Sequence, residues 1–148
     1  GAAAISCSIC PAGAAEIAEY VSGSGVLTDL RLNKNNIRDE GAKAIAEALR
    51  GNGVLTNLDL GGNYIRAEGA AALASALRVN GVLTKLNLDG HELDLPKLRG
   101  TDPVESLFLS GKRLGPASAI VIASLIAGNG VLTNLNLGQN YSIGDEGA

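Results

Sequence analysis

One short phrase returns four times along this chain and constrains its fold more than any other feature. Gly25-Val26-Leu27-Thr28-Asp29-Leu30-Arg31-Leu32 reappears beginning at Gly53, Gly81 and Gly130, each time as Gly-Val-Leu-Thr-x-Leu-x-Leu. The first three copies start 28 residues apart, and the fourth starts 49 residues after the third. A fixed period of this size marks a solenoid, in which each unit buries its apolar side only against its neighbours. Inside the phrase, apolar and polar positions alternate, Leu58 and Leu60 against Asn57, Asp59 and Gly61, which is the period of a short strand. Behind it the period becomes helical, with Ala42, Ile45, Ala46 and Leu49 on one stripe and Ala70, Leu73, Ala74 and Leu77 on the next.

The frame divides residues 1–148 into one domain. Residues 26–53 and 54–81 are full repeats, 82–102 a short helix-less one, 103–130 a full one and 131–148 a partial one. Residues 1–25 read as a partial repeat whose strand has been cut away, with a helix from about Pro11 to Val21. In the short repeat, Leu93–Gly100 has no room for three helical turns and carries Pro96 and Gly100 as breakers. Gly-Asn-Gly at 51–53 stops the helix before it, while Asp39 and Glu40 suit the positive end of that helix's own dipole. The predicted class is α/β. Parallel strands lie about 4.8 Å apart and packed helices about 8–10 Å, so the array must bend with strands on the inner arc. The strands alternate where doubly covered parallel strands would be continuously apolar. One face of the sheet is therefore open to water.

Composition narrows the function classes. With Phe 1, Trp 0 and Met 0, the core must be layers of Leu, Ile, Val and Ala. A net charge of -3 argues against a nucleic-acid partner, and no apolar run reaches the length of a membrane span. Cys7 and Cys10 are the only cysteines, too few for a disulfide framework, which points to an intracellular, cytoplasmic setting. The chain begins with Gly1 and contains no Met, so it reads as a fragment or processed piece. Neither end supplies a polar cap, from which end-to-end self-association or continuation into further repeats is expected.

Leu55-x-x-Leu58-x-Leu60-x-x-Asn63-x-Ile65, with Gly69, Leu73 and Leu77 behind it, resembles the leucine-rich repeat. The 28-residue length with a helical return is similar to the ribonuclease-inhibitor-like subclass, found also in NOD-like receptors and the Ran GTPase-activating protein. The resemblance implies a horseshoe arc with parallel strands on the concave face and helices on the convex face. It also implies a non-catalytic scaffold for a protein partner, with no cofactor. A structural spacer or assembly subunit is the alternative. A GTPase-activating role is a third, although no residue matches a catalytic motif.

On the open face the candidate binding residues are Phe108 first, with Arg31, Asp59 and Lys85 as rim charges, and Asn57, Asn87, Asn134 and Asn136. Asp89 is the last outward position of its strand. Tyr64 and Tyr141 follow the strand-to-helix corner and are secondary candidates. Cys7, Asn35, Asn63, His91 and Asn140 share one frame position, with Lys112 also there, and read as a structural ladder satisfying the turning backbone. As the only histidine, His91 cannot build a His-based triad or a multi-histidine metal site. The C-x-x-C of Cys7 and Cys10 is half a metal or redox site at most, so no metal is expected. Asn140-Tyr141-Ser142 is a glycosylation sequon, but a buried ladder amide would not be modified.

Overall fold

A computed structural model of the chain describes residues 2–4 and 10–140. Its strands and helices, in chain order, are β1 (Ala2–Ala4), α1 (Pro11–Gly23), β2 (Asp29–Arg31), α2 (Arg38–Gly51), β3 (Asn57–Asp59), α3 (Ala67–Val79) and β4 (Lys85–Asn87). There follow β5 (Glu92–Asp94), α4 (Leu95–Arg99), β6 (Ser106–Phe108), α5 (Pro116–Ile126) and β7 (Asn134–Asn136). The 28-residue period is the hydrogen-bond register itself. Leu30 pairs with Leu58 and Leu58 with Leu86, all parallel, flanked by Asp29–Asn57–Lys85 and Arg31–Asp59–Asn87. Leu30, Leu58 and Leu86 form one buried row and Leu32, Leu60 and Leu88 the next, against helix residues such as Ile45, Leu49, Leu73 and Leu77.

Three expectations are corrected. The first repeat has its strand: β1 pairs in parallel with β2, Ala3 opposite Leu30. The short repeat is not helix-less, since α4 makes five residues of helix, closed at Gly100 with φ 89°. A left-handed turn with a neighbour this close requires glycine there, because a Cβ would lie 2.9 Å from Asn129 Oδ1. The sheet is also not one parallel array. After β4 the chain reverses at Gly90 (φ 94°) into a hairpin, and β5 pairs antiparallel with β4, Leu93 opposite Leu86. The sheet ends at β5, and β6 and β7 form a second, parallel sheet.

The helix layer does not register this break. α1 packs on α2, α2 on α3, and α3 directly on α5. From α3 to α5 the helix layer advances one packing distance, about 8–10 Å. Over the same interval the strand layer holds two paired spacings of about 4.8 Å each, from β3 to β4 to β5, and then the break. The strand layer therefore does not advance one strand per helix there, as it does in the other repeats.

Candidate protein-binding face

The open face is a ladder of side chains on the strands' outward positions, and two ion pairs tie four of its members. Arg31 Nη2 lies 3.1 Å from Asp29 Oδ2. Lys85 Nζ lies 3.3 Å from Glu92 Oε1 on the antiparallel neighbour. Apart from half-buried Asp29 the partners are exposed, and both pairs stabilise little. Asp59 Oδ1 accepts the Gly61 N–H at 3.0 Å, Asn87 Oδ1 the Gly90 N–H at 2.7 Å, and Asn136 Oδ1 the Gly138 N–H at 2.9 Å. These side chains are thus fixed by the turns that end their strands. Asp29 Oδ1 is buried and has no hydrogen-bond partner among the described residues.

The hairpin brings Glu92 and Asp94 onto this face, acids that the repeat frame did not assign to it. Asp89 leaves it. Its Oδ2 accepts the N–H groups of Gly115 (2.8 Å) and Ser118 (3.0 Å), capping α5. The strand ends at Asn87, two residues before the outward position that the alternation implied, and the turn swings the carboxylate toward the helix. Beside Asp59 and Asn87 a cleft of about 400 Å³ opens against Gly61, Gly62 and Tyr64. Tyr64 is 68% exposed and stands in the left-handed region at φ 57°. Across the break stands Phe108, 63% exposed on β6, with Asn134 and Asn136 exposed on β7 beside it. The candidates therefore fall into two groups. Arg31, Asn57, Asp59, Lys85 and Asn87 share the first sheet, and Phe108, Asn134 and Asn136 the second.

The corner amides sit behind this face. Asn63 Nδ2 donates to the carbonyls of Leu32, Leu60 and Gly61, and its Oδ1 accepts the N–H groups of Asn35 and Ile37. Asn140 does the same one sheet later, donating to Leu109, Leu137 and Gly138 and accepting from Lys112 and Leu114. Asn35 is buried and donates to Leu32. His91 is no rung of this ladder, which corrects the expectation. It stands half-buried in the hairpin turn, where the chain reverses instead of passing through the corner. Burial, and then the charge of Lys112, hold its imidazole below the usual histidine range, with Glu92 opposing them. Cys7 and Tyr141 lie outside the described residues. Cys10 is an exposed free thiol at the start of α1, its pKa lowered by hydrogen bonds from the backbone of Gly13 and Ala12.

A second ladder escaped the sequence reading. At the helix exits, Asn52 Oδ1 accepts the N–H groups of Val54 and Leu55 while its Nδ2 donates to Val21 O. Asn80 repeats this with Val82, Leu83 and Leu49 O, and Asn129 with Val131, Leu132 and Leu98 O. The signal was present in the asparagine shared by the three Gly/Val-Asn-Gly exits, read only as helix stops. Among the described residues no helix is long and apolar enough to cross a membrane, and no cluster of His, Cys, Asp and Glu is placed to hold a metal ion.

Comparison with known proteins agrees with this geometry. The family model described as Leucine Rich repeat matches residues 26–46 and 51–74, the two most regular units. No curated protein sequence matches the chain. Among solved structures, the chain is similar to one titled Leiomodin-1 Actin-Binding Site 2 (ABS2), at TM-score 0.61 and 24% identity, covering 92% of this chain and 69% of that one. The fold is therefore an α/β leucine-rich-repeat solenoid, with its strand layer broken once.

Proposed function

We propose that the chain is a non-catalytic protein-interaction module of the ribonuclease-inhibitor-like kind, working in the cytoplasm, and that its partner sits on the open strand face around Phe108. The observation that carries this reading is a lone phenylalanine 63% exposed on a strand of the open face, since exposed aromatics serve as binding anchors. The fold supports it, since stacked repeats present extended surfaces for partners. The similar solved structure is titled as an actin-binding site, which makes actin the first partner to assay. The deciding experiment is a binding measurement with actin and with any protein recovered stoichiometrically by the immobilised chain. Phe108→Ala is expected to weaken the complex by about 1 kcal/mol or more, with smaller losses for Arg31→Ala, Asp59→Ala and Lys85→Ala. Unchanged affinity in all four variants would remove the strand face from consideration.

A further inference from the structure

The break leaves an unpaired strand edge inside the array. On β6, Glu105 O accepts the Asn134 N–H and the Leu109 N–H donates to Asn136 O, so Glu105, Leu107 and Leu109 turn their main-chain groups toward β7. Alternate residues of a strand point theirs to the opposite side, so the N–H and C=O of Ser106 and Phe108 face the break. Among the described residues nothing pairs with them, because β5 belongs to the other sheet. At the ends of a solenoid such an edge is where further repeats stack. Here α3 packs directly on α5, so the helix layer is closed and no strand–helix unit of the chain can enter.

The two edges that flank the break are unlike. β5 carries Glu92 and Asp94, exposed charges paired with Lys85 and Lys97, which is how an edge is guarded against another strand. β6 reads Ser-Leu-Phe, without a charge, a proline or a bulge, and exposes Phe108. Its two ends are oppositely charged and exposed: Asp102 and Glu105 precede it, and Lys112 and Arg113 follow it. None of these four forms an ion pair within the described residues.

We propose that the free edge of β6 takes one extended peptide segment of a protein partner as an added strand, uncharged at its centre, with a basic residue meeting Asp102 and Glu105 and an acidic residue meeting Lys112 and Arg113. The extended stretch from Glu105 to Leu109 spans about 13 Å at about 3.3 Å per residue, and Lys112 and Arg113 follow the turn at Gly111, so an added strand of roughly seven residues covers the edge and runs past it at both ends. Main-chain bonds to Ser106 and Phe108 would supply affinity, while the Phe108 ring and the terminal charges would supply choice of sequence and direction. This deepens the strand-face reading and rests on it.

The test uses acetyl-Lys-Thr-Val-Thr-Val-Thr-Glu-amide and its reversed sequence, titrated against the whole chain. One direction is expected to bind and the other to bind more weakly. N-methylating alternate residues on the peptide edge that faces β6 is expected to weaken binding about tenfold or more, and methylating the other edge to change it less than about twofold. Ser106→Pro deletes a break-facing N–H while sparing the ladder to β7, and is expected to weaken the same peptide about tenfold. If that variant fails to fold, the methylated peptides still decide. Equal effects of the two methylation patterns, no binding in either direction, or dimerisation of the chain that Ser106→Pro abolishes would overturn the proposal. Loss of partner binding in Phe108→Ala with no response to methylation or to Ser106→Pro would sink the added strand alone. Indifference to all of these changes would sink the strand-face reading as well.

Discussion

The regular stack at 26–81 and the break at 82–102 solve the same problem with different residues. In the stack, the end of each helix is tied to a later repeat by an asparagine: Asn80 Nδ2 donates to Leu49 O and Asn52 O. Moved on by one period, those carbonyls are Leu77 O and Asn80 O, and no asparagine stands where it should. Arg99 takes its place. Its guanidinium donates to Asn80 O at 2.7 Å, Leu77 O at 3.4 Å and Leu83 O at 2.7 Å from the end of the five-residue helix α4. Burial lowers its pKa, and its Nε has no partner among the described residues. The cap of the following helix is replaced in the same way. Asp39 Oδ1 accepts the N–H groups of Arg66 and Gly69 at the start of α3, and Asp89 Oδ2 those of Gly115 and Ser118 at the start of α5, the N-cap residue and the third helical residue in each case. The two regions share an obligation, that buried backbone groups find partners. They do not share the residues that meet it.

The largest effect is expected in the stack. Asn63→Ala removes five buried hydrogen bonds, and should destabilise the chain by about 2–3 kcal/mol in urea melts through the groups left unsatisfied. Arg99→Ala tests the break. It should cost about 1–2 kcal/mol, less than Asn63→Ala because the groove of Leu77, Arg78, Ser124 and Leu125 beside it is open to water. Arg99→Lys keeps the charge but not the fork, and should recover less than half of that. If Arg99→Ala melts with the unaltered chain, the substitution of arginine for asparagine holds nothing. Asp39→Ala and Asp89→Ala should each lose about 1 kcal/mol, as lost helix caps do; a cost for the first without the second would separate the two regions.

The smallest effect is in the hairpin turn. His91 can be followed alone by proton NMR, being the only histidine. Its midpoint should lie below 6.5, because burial and then Lys112 disfavour the imidazolium. A lowered folded value means that the neutral ring contributes stability above the unfolded pKa of about 6.5. That contribution fades as pH falls from there toward the folded value, because the unfolded chain binds the proton first. Lys112→Glu should raise the midpoint; a midpoint unmoved by that change would exclude the charge as a cause.

The repeated Val-Leu-Thr-x-Leu-x-Leu by itself determined the stack, because a strand that recurs at one spacing with one apolar face has a single register in which its leucines are all buried. Leu30, Leu58 and Leu86 lie opposite one another as that spacing requires. It also determined the outward positions, including exposed Phe108, since alternation sets which side chains leave the core. It did not determine what happens where the period fails. Asp89 looked like one more outward residue and His91 like one more rung, because both kept their place in the count. Only the tertiary structure decided that the chain turns back at Gly90. Leu93 can face Leu86 from an antiparallel strand as well as from a parallel one, and α3 can close on α5 once a full helix is missing. The hydrogen bonds of Arg99 reach back 16 to 22 residues, off the repeat spacing. Nothing in a periodic pattern marks such a partner, because the pairing exists only after the layers have packed.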